Sequence, residues 1–339
     1  MTTNPLVLVA NAKAGTLAAF TIADDALRPA SVSNVGPGCS TFAVDDVRNL
    51  VYTTVREPEP AIVTLALDPA TGGLSEASRR GIDDPLAYLA LANNGTLVLG
   101  ASYHGSWGAA WPSKDGVLGE PTSRVEHENL HAVVPTADGN HAYFVSLGDD
   151  LIAPVALLED GFRALDVVEC PEGSGPRHLI LSDDETSAYL ITEFTGEVIR
   201  FDRDATSGRL TRAESVPGYD PARNLHTSRY GAKPLDEHLI WGADLHLAGE
   251  GRWLLASERT ESTIVTISLD EQDRLGETVA ITDTEKQPRG FGVSANGSRV
   301  VVVGERSGHA TLYRVLSDGS LKAVDRVPTG DGPNWVRFV

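Results

Sequence analysis

The chain has few basic groups: 28 Lys and Arg, only 5 of them Lys, stand against 47 Asp and Glu in 339 residues, a formal net charge of −19. Such a field argues against a nucleic-acid partner and against binding to acidic membrane surfaces. It favours solubility, including at high salt. No run of about 18 apolar residues occurs, so no membrane span is expected. Residues 1–15, MTTNPLVLVANAKAG, lack a basic stretch followed by an apolar stretch and a cleavage site. That argues against a secretion signal and predicts a cytoplasmic location. Two cysteines, Cys39 and Cys170, lie far apart in sequence and are expected to be reduced, buried and in or beside strands. Helical signals are almost absent. No G-x-S-x-G motif is present, which argues against a serine acyl-enzyme. No His-rich or Asp-rich ligand spacing stands out, so neither a metal nor another cofactor is expected.

What is present is a repeat. Its unit is a turn, an apolar strand, a turn rich in Asp, Asn or Gly, a second apolar strand, a polar link, a third strand, and often a Gly-Leu-like turn into a fourth. Openers fall at Pro37, Pro85, Asn129, Pro176, Trp241, Pro288 and Pro333, a spacing of roughly 45 residues. A composition that is 41% hydrophobic and 22% charged is that of a globular chain with ample material for a core. Length alone would suggest two or three domains, but four short strands per unit at this period point to an all-β, seven-bladed β-propeller with four-stranded antiparallel blades. One domain, residues 1–339, is therefore expected. The chain begins in mid-repeat: LVLVAN reads as a second strand, TLAAFTI as a third and SVSNV as a fourth. The missing first strand would come from Asn334 to Val339, which closes the ring and leaves no open edge around it. The one irregular interval, from Pro176 to Trp241, holds an insertion of about 20 residues near 217–240. With Arg223, His226, Arg229 and Lys233 it reads equally as a basic lid over the channel mouth or as a decorated outer edge.

In such a ring the start of each first strand and the end of each second strand share one mouth of the axial channel. Small and turn-forming residues are the ordinary occupants there. Here ionisable groups recur: His131, Arg177, His178 and Arg289 at strand openings, and Tyr103-His104, Glu193 and Glu258-Arg259 at second-strand ends. Each taken alone reads as a solvated loop charge or an inter-blade salt bridge. Their convergence marks a concave ligand site. Guanidinium forks bind carboxylate or phosphate bidentately. Arg177, Arg259 and Arg289 therefore point to a small anionic ligand, with Glu193 as partial compensation. Trp107, Trp111, Trp241 and Trp253 read as blade packing.

Several of these segments resemble the seven-bladed propeller lactonases, which comprise the propeller-type 6-phosphogluconolactonases and the fungal carboxy-cis,cis-muconate lactonizing enzymes. The likeness runs along nearly the whole chain. It is carried by Gly175-Pro176-Arg177-His178 with Tyr189 to Glu193, Tyr103-His104-Gly105, Leu130-His131 with Leu147-Gly148-Asp149-Asp150, Ser257-Glu258-Arg259, and Pro288-Arg289-Gly290-Phe291. It departs at Asn129, Ser146 and Glu258, where the family often has His, Asp and Asn. The resemblance implies a catalytic set of His131, Arg177, Glu193 and Arg259, with Tyr103, His104, His178 and Arg289 contacting substrate. It implies hydrolysis of a small anionic sugar-acid lactone, by water activated on Glu193 or His131 with Arg177 and Arg259 as anion clamp and oxyanion donors. The same residues would serve a cycloisomerase acting on a muconate-like diacid, and the fold also serves as a non-catalytic scaffold. A monomer or weak oligomer is expected.

Overall fold

The computed structural model describes residues 5–339; residues 1–4, part of the stretch read above for a secretion signal, lie outside the described residues. Strand follows antiparallel strand in seven sheets. Five are four-stranded; in the other two, the outermost strand is broken into two short pieces, Val117–Leu118 with Ser123–Glu126 and Phe162–Ala164 with Val168–Glu169. The arrangement is a seven-bladed β-propeller, as the period predicts. Among the described residues no helix is long and apolar enough to cross a membrane.

Burial explains the sequence pattern. The second strands Leu50–Val55, Leu97–Ser102, His141–Ser146 and Ser187–Thr192 are buried at every position, because neighbouring blades cover both of their faces. They therefore read as continuous apolar runs. The outer strands Leu74–Gly81 and Leu210–Pro217 are largely exposed and read as charged. The core lies between blades rather than within one: Leu8, Phe42 and Trp335 share one cluster, and Val145, Leu190 and Phe201 another. On the face opposite the site, one device turns the first strand into the second. Asp138, Asp184 and Asn296 each accept a backbone N–H two residues on, at 2.9 to 3.1 Å.

The ring closes as the sequence implies. Pro333–Phe338 pairs antiparallel with Leu6–Asn11, Val9 opposite Val336. Four innermost strands carry a bulge at the same end. Leu130 pairs with Ser146 and Ala132 with Val145, so His131 is skipped. Arg177 is skipped between Pro176 and His178, Ala243 and Asp244 between Gly242 and Leu245, and Asn334 between Pro333 and Trp335. A bulge re-aims the side chain it releases. Here it sends polar groups toward the channel from strands whose other positions serve the core.

The insertion resolves the two readings offered above. It leaves Leu210–Pro217, makes short turns of helix at Pro221–Arg223 and Pro234–Glu237, and is pinned by Ser228 N–H to the Phe194 carbonyl at 2.9 Å. Its Ser228–Tyr230 stretch lies at the site mouth, while Arg223 reaches Asp283 at the end of the neighbouring blade's outer strand. Its basic groups are largely matched: Arg223 pairs with Asp220, Glu261 and Asp283, and Arg229 with Glu237. Cys39 is buried and Cys170 half-buried, the latter short of the full burial expected; both thiols are free and pushed up to about 12 by burial.

Candidate active site

Arg177 is 1% exposed. Its Nε donates to Glu193 Oε2 at 2.8 Å, and its Nη1 donates to the Ala243 carbonyl and to His178 Nε2, the latter at 3.3 Å. Arg259, just past Trp253–Glu258, brings its Nη2 within 2.8 Å of the same Glu193 oxygen. It also donates from Nη2 to the Gly242 carbonyl at 2.9 Å and from Nε to the Trp241 carbonyl at 3.3 Å. Its guanidinium stacks 3.9 Å over the Trp241 ring, whose Nε1 donates to Glu193 Oε1 at 3.2 Å. One carboxylate thus joins two guanidiniums and an indole from two blades.

Charge follows from that geometry. Burial and the Arg259 charge pull Arg177 down to about 9. Burial would raise the Glu193 carboxyl, but Arg259 and Arg177 outweigh it and hold the group below its usual range. Arg289, with its side chain 36% exposed, stands 3.6 Å from Glu305; both lie on the blade that follows the one carrying Arg259. Three arginines thus face the mouth against Glu193 and Glu305, with the Asp244 carboxylate beneath them. Among the described residues nothing accepts from Arg177 Nη2 or Arg259 Nη1.

The histidines divide into two kinds. His178 is buried and donates from Nδ1 to Asp244 Oδ1 at 2.8 Å, while its Nε2 accepts from Arg177. Those partners fix its tautomer. Burial and the Arg177 charge pull it down to about 4, so it is neutral at pH 7. Its ring lies edge-on to Tyr88 and Trp335 at 5.3 and 5.6 Å, and these rings plug the channel beneath it. Asp244 also receives His246 Nε2 at 3.2 Å and the Phe291 and Leu245 backbone N–H groups. Burial opposes its ionisation, yet His246 and His178 hold its carboxyl well below the usual range. His178 therefore supports Arg177 from beneath. His131 is different. It is 4% exposed, 5.0 Å ring to ring from His178 and 5.8 Å from Tyr103. Its Nδ1 is buried without a partner, and among the described residues its Nε2 has none either. Burial, then Arg177, depress its pKa well below the ordinary histidine value, so it presents a neutral imidazole.

Tyr103 stands at the rim, its phenol pushed up to about 12 by burial and by Glu193. His104 is exposed and lies edge-on to Tyr103 at 5.2 Å. The three positions that depart from the resembling family hold backbone. Asn129, at φ 50°, donates to the Tyr103 carbonyl at 3.1 Å. Ser146 Oγ donates to the Glu128 carbonyl at 2.6 Å and accepts from Asp149 N–H at 3.1 Å. Glu258, fully buried, accepts the N–H groups of Trp241, Thr260 and Glu261 at 2.7 to 2.9 Å. Gly175 has φ +65°, and a Cβ there would sit 2.6 Å from the Phe194 ring, so the turn presenting Arg177 needs glycine.

Two site residues escape sequence reading. Trp241, read as packing, lies under Arg259 and bonds Glu193. Asp244 was not singled out, although an acid in the apolar run GADLHLA is a signal of a buried polar role. Trp107 and Trp111 do pack in the core, as read. Among the described residues no group of three or more His, Cys, Asp or Glu is arranged to hold a metal ion.

Comparison with known proteins gives a consistent picture. A family model described as lactonase, 7-bladed beta-propeller, matches residues 6–338. A 6-phosphogluconolactonase of Klebsiella pneumoniae is 27% identical over 300 residues, covering 87% of this chain and 86% of that protein. One from Serratia proteamaculans is 27% identical over 313 residues, covering 88% and 87%. A solved Bacteroides uniformis structure, described as a candidate 6-phosphogluconolactonase, superposes with a TM-score of 0.87 at 25% identity, covering 99% of this chain and 100% of that one.

Proposed function

Because this chain belongs to the seven-bladed β-propeller lactonase family, we propose that it hydrolyses 6-phosphogluconolactone or a closely related anionic sugar-acid lactone by general-base attack of water. The observation that carries the proposal is the junction of Arg177 and Arg259 on Glu193 beside an imidazole, His131, that has no hydrogen-bond partner among the described residues. Both Glu193 oxygens are already engaged and its charge is stabilised, which makes it a poor proton acceptor. His131 retains an uncommitted lone pair.

In this mechanism a water between His131 and the lactone carbonyl loses its proton to the imidazole as its oxygen bonds to carbon. The carbonyl π electrons move onto oxygen. The uncommitted corners of Arg177 and Arg259 stabilise that oxyanion, a contribution of about 100-fold or more in rate for one good donor. When the tetrahedral intermediate collapses, the ring C–O bond breaks. The imidazolium returns its proton to the leaving alkoxide, which gives the hydroxy acid and restores neutral His131. The negative charge that builds up on the substrate stabilises the imidazolium and offsets its depressed pKa.

The test is the rate at which the purified protein consumes 6-phosphogluconolactone above the spontaneous rate. Faster loss supports the proposal. Turnover confined to a muconate diacid would replace it with a cycloisomerase, and turnover of neither would leave a binding scaffold.

A further inference from the structure

The strand that closes the ring carries a polar group into the channel. His131, Arg177, Arg289 and Asn334 occupy one register position in four blades. Each lies two residues before a first-strand residue whose partner is two positions short of the second strand's end: Val133 opposite Phe144, Leu179 opposite Leu190, Phe291 opposite Val302 and Val336 opposite Val9. They therefore stand at one height around the channel. His131, Arg177 and Asn334 are skipped by the pairing, and a bulge re-aims the side chain it releases. Asn334 is followed by Trp335, whose ring meets those of His178 and Tyr88 at 5.6 and 5.1 Å on the channel floor, so Asn334 stands one residue nearer the mouth. Its neighbour on the ring is Arg289. A Cβ on Gly290 would fall 2.4 Å from the Asn334 carbonyl oxygen, so glycine there lets the closing strand lie against the Arg289 turn.

Asn334 is 2% exposed, yet neither end of its amide has a hydrogen-bond partner among the described residues. Its Oδ1 is closed off; its Nδ2 is not, and is the group left open to the channel. A buried amide without partners costs free energy, part of which a ligand oxygen can recover. Arg177, Arg259 and Arg289 suit the anionic end of a ligand. Asn334 lies across the ring from Arg177 and carries no charge. An uncharged N–H donor there suits an uncharged oxygen, and a hydroxyl is a group that accepts such a bond and still has a proton to donate.

We propose that Asn334 is a specificity-determining residue, donating from Nδ2 to a hydroxyl oxygen of the ligand whose anionic end the arginines hold. The contact rests on the hydrolase reading above for its ligand and is tested without turnover. Titration calorimetry with gluconate and with hexanoate compares acids of equal chain length with and without hydroxyls. The native protein is expected to bind gluconate the more tightly. Asn334→Leu, of similar shape, and Asn334→Ala are expected to weaken gluconate binding by about fivefold, the worth of one uncharged hydrogen bond, and to leave hexanoate binding unweakened. Melting temperatures show whether each variant is folded. Equal weakening of the two acids would mean a structural role, and gluconate binding that neither variant changes would mean no contact. Either result overturns the proposal, as does a native protein that binds gluconate no better than hexanoate. The expected pattern in a protein that consumes no lactone would sink the hydrolase reading and leave the contact standing.

Discussion

Glu193 holds together two buried guanidiniums that would otherwise repel each other. Replacing it with Gln keeps the shape and removes the charge. Breaking such a buried set typically costs about 3–5 kcal/mol. Glu193→Gln is therefore expected to lose stability on that scale in urea denaturation; a change within about 0.5 kcal/mol, as for an ordinary surface substitution, would mean that the junction is not held by charge. A second expectation concerns acid. His178 titrates at about 4 in the folded protein, against about 6.5 for an unperturbed histidine. Between those values the unfolded chain binds the extra proton, so stability is full above pH 6.5 and falls as pH drops toward 4. His131 acts in the same direction. The lowered carboxyls of Glu193 and Asp244 add further loss at still lower pH. The His178 contribution alone is of order 3 kcal/mol across the window. His178→Asn keeps a donor for Asp244 and removes the titration, so its stability is expected to change less between pH 6.5 and 4 than that of the native protein. Parallel profiles would contradict the buried neutral state.

At the scale of the element, the closing strand and the bulges matter most. Pro333–Phe338 supplies Trp335 to a core shared with Leu8 and Phe42, and Asn334 to the channel. Removing residues 334–339 exposes the inner edge of the composite blade along Leu6–Asn11. It is expected to abolish the cooperative thermal transition; an unchanged melting temperature would show that closure contributes nothing. This strand was legible in the sequence because the period counts it: six full units and a remainder must close on each other. The mouth was legible for the same reason, since hairpin ends fall together in every blade. The bulges were not. A bulge is a register difference between two strands, and Pro176-Arg177-His178 reads identically with or without one. Asp244 and Trp241 were hidden by a related ambiguity: an acid or an indole near an inner strand serves packing or site alike until the partner across the blade boundary is known. The insertion was visible as excess length, but its position over the mouth depends on contacts with other segments that sequence does not show, among them Ser228 N–H to the Phe194 carbonyl and Arg223 to Glu261 and Asp283.

For the whole molecule, the charge balance produces two opposing ranges of force. The net charge of −19 repels an anionic substrate at a distance, while the arginines at the mouth attract it at contact. Salt screens the first more than the second. For a phosphorylated lactone, kcat/KM is expected to rise modestly as ionic strength increases from about 0.01 to 0.1 M. A steep fall would indicate attractive steering instead. The site that receives the substrate is built from strands of separate blades: His131 from one, Arg177 and Glu193 from the next, Arg259 and Trp241 from the one after. The ring brings them together, and among the described residues only His131 of this set has no hydrogen-bond partner. The most direct measurement is kcat/KM toward 6-phosphogluconolactone for the native protein and for His131→Gln. Loss of a general base lowers it by about 100-fold or more. A His131→Gln protein that hydrolyses the lactone as fast as the native one would contradict the assignment of the base.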